Sequence, residues 1–120
     1  MMSDGTQFKQ RDIVLVSFPY TDFSSAKKRP AVIISRSHFN VTHADVICCA
    51  ITSNPKEYGS SINLSNQDLV VGAIRFDSRI KPTKLFTLSQ GNILRKIAII
   101  SKEKCRELLA VLNDAIILEE

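Results

Sequence analysis

The residues best suited to chemistry fall in two short runs. One is Lys27-Lys28-Arg29, three consecutive cations directly before Pro30, and the other is Thr52-Ser53. A residue that precedes proline is driven out of the α region into extended backbone. Arg29 therefore offers a guanidinium on a chain held straight, at the rim of an apolar run. Its planar fork can grip two oxygens of one phosphate, as a charge donor rather than as a base. Thr52 and Ser53 carry hydroxyls where the apolar run Asp45 to Ser53 surfaces, just before Asn54-Pro55 stops it. On spacing alone a plainer account stands beside this one: Arg29 as a surface cation and Thr52 as a strand-end residue.

The remaining polar residues are weaker candidates. Arg75, Arg79, Lys81, Lys84 and Arg95-Lys96 could track a phosphate backbone, but charged outer faces of strands are ordinarily just solvated. His38 and His43 sit in a polar connection, five apart, with Asp45 as the sole nearby carboxylate. No further ligand set has metal-site spacing, so solvated loop histidines, no metal and no cofactor are expected. Cys105 falls on an apolar stripe and reads as core rather than as a nucleophile. No Gly-rich phosphate loop and no Ser-His-Asp arrangement supports nucleotide hydrolysis or acyl chemistry.

The elements that must position Arg29 and Thr52 are strands. Asp12–Phe18 and Pro30–Ser35 are near-continuous apolar runs, the pattern of strands buried on both faces. A polar loop, Tyr20 to Arg29, joins them. Asp45 to Ser53 is a third such run, and Ser61–Leu64 is a short alternating segment. Gly72–Phe76 and Arg79–Leu88 read as two more strands, with Lys81-Pro82 suggesting a bend or an edge. Ile93–Ile100 can be a final short strand despite Arg95-Lys96. From Ser101 the period changes: Cys105, Leu108, Leu109, Leu112, Ala115 and Ile116 recur at helical spacing. Ser101 suits the N-cap, with Glu103 in the first turn. The expected fold is mainly β (α+β): a small, partly open β-barrel with a C-terminal amphipathic helix.

The totals bound the reading. A chain of 120 residues, 44% hydrophobic and 23% charged, makes one globular domain over 1–120, with residues 1–10 as a loose lead-in. The net charge of +4 permits a polyanionic partner without demanding one. No apolar run approaches the roughly 20 residues of a membrane helix, and the first ten residues lack the apolar core of a signal peptide. Three cysteines, two of them adjacent at 48 and 49, read as reduced core residues. A cytoplasmic protein is expected.

Three blocks in fixed order carry a family resemblance: Asp12-Ile13-Val14-Leu15-Val16 with Phe18, Lys28-Arg29-Pro30-Ala31-Val32-Ile33-Ile34-Ser35, and Ala50-Ile51-Thr52-Ser53. Together they resemble the MazF/PemK family of type II toxin–antitoxin toxins, which are sequence-selective endoribonucleases acting on mRNA. The resemblance implies an SH3-like barrel with a C-terminal helix, a homodimer, a partner antitoxin, and metal-independent cleavage of single-stranded RNA. It places the two principal catalytic positions on Arg29 and Thr52, and substrate contacts are expected from Lys27, Lys28, Ser53, Arg79 and Lys81. Operator DNA is expected as a partner only for a toxin–antitoxin complex. The family commonly opens its first strand with Gly-Asp, whereas here Arg11 takes the glycine place. Its first loop often carries an acidic segment, whereas this chain has Thr21-Asp22-Phe23-Ser24-Ser25-Ala26-Lys27, closer to the PemK-like branch.

Two other readings are open at this stage. One is a non-catalytic SH3-like module holding nucleic acid or a peptide on the same basic rim. Such modules commonly show aromatic platforms, and here only Tyr20, Phe23, Phe39 and Tyr58 are expected to be exposed in loops. The other is a decayed toxin that keeps antitoxin contact but not cleavage.

Overall fold

Burial alternates along the central strands so that neighbouring residues enter two different cores. The computed structural model describes residues 8–18, 27–57 and 59–120. Seven antiparallel strands form one curled sheet: β1 (Asp12–Phe18), β2 (Lys27–Ile33), β3 (Asp45–Thr52), β4 (Ile62–Leu64), β5 (Leu69–Gly72), β6 (Ser78–Ser89) and β7 (Ile93–Ile100). Their order is β4-β6-β3-β2-β1-β7-β5, so β4 and β5 are the edges. A short helix α1 (Ser37–Thr42) joins β2 to β3, and helix α2 (Lys102–Ile116) follows β7.

On one face Ile13, Val32, Cys49, Ile51 and Ile80 pack with Cys105, Leu108 and Leu112 of α2. On the other face Val14, Val16, Ala31, Ile33, Val46 and Cys48 form a second cluster, closed by Phe8, Phe86, Leu88 and Ile93. The two alternating sets explain the continuous apolar runs: each strand fills two cores. One chain thus encloses apolar side chains from both faces of its sheet.

Helix α2 forms where expected. The Ser101 hydroxyl accepts from the Lys104 N–H at 3.1 Å, with Glu103 in the first turn. Lys104 is buried, and its Nζ donates to the Asn63 carbonyl and to Glu107 Oε1, both at 2.9 Å. Asp68 stands 3.7 Å from the same ammonium, so this side chain ties α2 to β4 and to the 66–68 turn. No helix among the described residues is long and apolar enough to cross a membrane.

Four details differ from the sequence reading. Strand β2 begins at Lys27, not Pro30, because the β1 ladder extends through Ser17↔Lys28 and Phe18↔Lys27. Pro30 nevertheless lies just beyond the β3 ladder, which runs over Ala31–Ile33, where a residue without an N–H is tolerated. The 36–44 connection contains α1 rather than a plain loop. The strand expected over Gly72–Phe76 is instead β5, ending at Gly72. Gly72 has φ +79°, and a Cβ there would stand 2.2 Å from the Ile97 carbonyl oxygen. Glycine therefore lets the chain turn out of the ladder while lying against β7. Finally, the end of the lead-in is tied down: Lys9 N–H donates to Asp12 Oδ2 and the Gln10 side chain to the Ile34 carbonyl.

Candidate nucleic-acid groove

Arg29 and Thr52 come together through strand register. Ala31 faces Ala50 at the end of the β2–β3 ladder; Arg29 and Thr52 lie two residues beyond that pair, on the same alternation of their strands, and line one groove. Directly opposed residues of an antiparallel pair share a face, with Cβ atoms about 5 Å apart. On its other side Arg29 faces Val16 of β1. The guanidinium makes no hydrogen bond or ion pair among the described residues and is half-buried. Thr52 is only 6% exposed. Its Oγ1 accepts from the Asn54 N–H at 3.0 Å, and Asn54 Oδ1 in turn accepts from the Lys56 N–H at 3.1 Å. These local bonds turn the chain sharply after β3 and fix the Thr52 rotamer.

Both residues line a groove of about 830 Å³, within the usual size of ligand clefts, about 300–1,000 Å³. One wall is Lys28, Arg29 and Pro30 of β2, with Ile51, Thr52, Ser53 and Asn54 at the end of β3. The rest of the lining comes from the segment between β5 and β6 (Ala73, Ile74, Arg75 and Phe76), Ser78 at the start of β6, Leu15 of β1, and Arg95 and Ile97 of β7. Both alternations of β2 and β3 contribute, as at a rim where strands leave a sheet. Lys28, Arg29, Arg75 and Arg95 are cationic, and no Asp or Glu is among the described lining residues. With several like charges along low-dielectric walls, the field of the groove is positive and focused on an anion placed inside it.

The expected contact residues divide. Lys28 and Ser53 line the groove with Arg29 and Thr52; Arg79 and Lys81 are not among its lining residues. Arg79 does face Thr52 across β3 and β6, but its Nε and Nη2 donate to Ser61 Oγ at 2.9 Å and Ser61 O at 2.8 Å. Those bonds hold β6 to the start of β4. Lys81 faces Ala50, one ladder position pair away from the rim. The Lys27 side chain and the Tyr20, Phe23 and Tyr58 positions lie outside the described residues.

Of the lining residues, the sequence offers Arg75 and Arg95 as a phosphate-tracking surface weighed against plain solvated strand charges, while Phe76 reads as part of a strand with no role. The signal that could have found them was Gly72, whose placement after Val70-Val71 marks a chain reversal. Neither histidine lines the groove. His43 stacks on Phe39 with ring centroids 3.8 Å apart, and its Nδ1 lies 2.9 Å from the Phe39 carbonyl oxygen. Among the described residues no three His, Cys, Asp or Glu side chains gather to hold a metal ion. Cys48 and Cys49 are buried, and desolvation chiefly pushes each thiol up to about 12. They have the setting of inert core residues.

A curled antiparallel sheet with a C-terminal helix and a cationic rim defines a small basic β protein. Over residues 9–116 the chain matches the family described as PemK-like, MazF-like toxin of type II toxin–antitoxin system. The chain belongs to that family. A search of curated proteins finds no significant match. Among solved structures, it is similar to an endoribonuclease in complex with its cognate antitoxin from a mycobacterial species: 13% identity, 96% of this chain and 98% of that chain covered, TM-score 0.74. A MazE-MazF crystal structure from Deinococcus radiodurans gives 17% identity, 90% and 94% coverage and TM-score 0.73. The Mycobacterium tuberculosis toxin MazF-mt6 gives 18% identity, 92% and 100% coverage and TM-score 0.69. At these identities the likeness is one of fold.

Proposed function

We propose that this toxin-family chain is a metal-independent endoribonuclease cutting single-stranded mRNA, with Arg29 and Thr52 as its catalytic residues. The observation that carries the reading is that both line one groove, whose described lining residues include four cations and no carboxylate. The nucleophile belongs to the substrate. The ribose 2′-hydroxyl attacks the neighbouring phosphorus and passes its proton to water, a new 2′-O–P bond forms, the P–O5′ bond breaks, and the 5′-oxygen leaves with a proton taken from water. Negative charge builds on the phosphoryl oxygens during attack. Arg29 meets that charge with its fork, and Thr52 places a hydroxyl against the same phosphate. Products then end in 2′,3′-cyclic phosphate, or its hydrolysed 3′-phosphate, and 5′-hydroxyl.

The partners follow from the same reading. An antitoxin with an acidic, flexible segment suits a cationic groove and would block RNA by occupying it, more weakly as salt rises. A homodimer, a cytoplasmic location, and contact with operator DNA only as a toxin–antitoxin complex complete the proposal; the dimer rests on family membership alone.

The test is cleavage of one long RNA by purified protein in EDTA, with the ends mapped. Arg29→Ala is expected to lose about a hundredfold or more in rate, the scale of removing a transition-state charge donor. Its fold should survive, because the guanidinium has no partner among the described residues. Near-normal cleavage by folded Arg29→Ala protein, or 5′-phosphate ends, refutes the assignment.

A further inference from the structure

Phe76 is the least expected group in the groove. It is an aromatic side chain, 64% exposed, on a wall otherwise made of arginines and small apolar residues. A large exposed aromatic costs solvation and contributes little to this fold, since it belongs to neither apolar cluster. The segment that carries it is held in place. Gly72 turns the chain off β7, and the Asn66 side chain then holds Ile74 from both sides. The Ile74 N–H donates to Asn66 Oδ1 at 2.8 Å, and Asn66 Nδ2 donates to the Ile74 carbonyl at 3.2 Å. One amide thus takes the place of a partner strand for the segment carrying Arg75 and Phe76.

We infer that Phe76 is a nucleobase-stacking platform that sets where a single-stranded polynucleotide lies in the groove, with Arg75 and Arg95 holding flanking phosphates. The inference rests on the RNA reading above and goes beyond it by naming the base-reading wall. A stack of base on aromatic ring is tolerant of sequence and complements phosphate contacts that are blind to it. An acidic peptide would use the cations, but only an occasional aromatic or arginine side chain of it could stack on an exposed ring, whereas every nucleotide brings a base to stack. Among the described lining residues, four cations, an exposed aromatic and no carboxylate therefore favour nucleic acid over a peptide.

Binding of uncleavable RNA tests this apart from catalysis. The probe is a set of 2′-O-methyl RNA 12-mers, each with 2-aminopurine at one position, titrated by fluorescence in the full-length protein. One position is expected to be quenched on binding. Phe76→Ala should abolish that quenching and weaken binding about tenfold, with the salt slope unchanged; Phe76→Trp should restore both. Arg75→Ala and Arg95→Ala should each lower the salt slope by about one while leaving the quenching in place. Equal affinity and quenching in wild type and Phe76→Ala overturns the platform and leaves the nuclease reading standing. No binding of any 12-mer by wild type overturns both. Phe76-dependent binding of poly-glutamate, without such dependence for RNA, overturns the inference in favour of a peptide site.

Discussion

Arg11 stands where the family commonly has glycine, and its backbone shows the cost of that exchange. Its φ is +85°, in the left-handed region that a side chain disfavours by about 1–2 kcal/mol. The conformation is imposed from both sides: the Arg11 N–H donates to the Ile33 carbonyl at 2.8 Å, and its own carbonyl accepts from the Ile100 N–H at 2.9 Å. The side chain returns part of the cost, because Nη1 donates to the Ile100 carbonyl at 2.9 Å, a bond of about 1 kcal/mol net. Two substitutions separate these effects. Arg11→Ala loses the bond and keeps the strain, so it should destabilise by about 1 kcal/mol. Arg11→Gly loses the bond but relieves the strain, offset by about 0.4–1 kcal/mol of added freedom in the unfolded chain. Arg11→Gly should therefore be more stable than Arg11→Ala by about 0.5–1 kcal/mol, a gap of about 2–5 °C in Tm. Urea unfolding with matched slopes measures the gap. Equal stability of the two variants, or a less stable glycine variant, would refute the idea that strain resides at this residue. RNA cleavage should not change in either, since Arg11 does not line the groove.

Thr52→Val keeps the branched shape but leaves the Asn54 N–H without its acceptor; we expect cleavage to be lost for about 1 kcal/mol of stability, and retained cleavage would make Thr52 structural. Gly72→Ala should destabilise by about 2 kcal/mol or more, because a strained φ and a backbone clash coincide, and should weaken RNA binding by moving the 73–77 wall; unchanged Tm would show that the turn relaxes freely. Cys48 and Cys49 ionise at an ordinary 9.0 when unfolded but only near 12 when folded. Burial thus keeps both as neutral thiols in the native state, so their share of stability is intact below pH 9 and is lost as pH rises from 9 toward 12. Alkaline melts of Cys48→Ala should show a shallower fall over that window, and an identical slope counts against the assignment.

Strands were legible wherever both faces are buried, since an unbroken apolar run leaves few alternatives. Asp12–Phe18 and Asp45–Thr52 match the expected limits to within a residue. The helix from Ser101 was legible because its cap and its periodicity agree. Short elements held by side chains were not. The segment 73–77 looks like a strand by composition, but it is shaped by Gly72 and by the Asn66 amide, eight residues from Ile74. Likewise Ser37–Thr42 has no side-chain N-cap, and its placement follows from buried Asn40, whose Nδ2 donates to the Phe8 and Ser35 carbonyls. That Arg29 and Thr52 line one groove was not legible from local pattern, because register between distant strands is a tertiary fact. The far wall of the groove had no local signature beyond a glycine and scattered arginines.

The sheet order has a consequence in time. Strand β1 lies between β2 and β7, so residues near the start of the chain are paired with residues near its end: Asp12 faces Ile99 and Leu15 faces Arg95. The groove draws on Leu15 from the first strand and on Arg95 and Ile97 from the last. Ribosomes add about 5–20 residues per second, and the exit tunnel hides the newest stretch from folding. Through most of its synthesis the nascent chain has one wall of the groove and lacks the other. A protein of this family is therefore assembled as an incomplete clamp and closes only as the final strand emerges. Any stalled or truncated product ending before β7 would be without a finished groove.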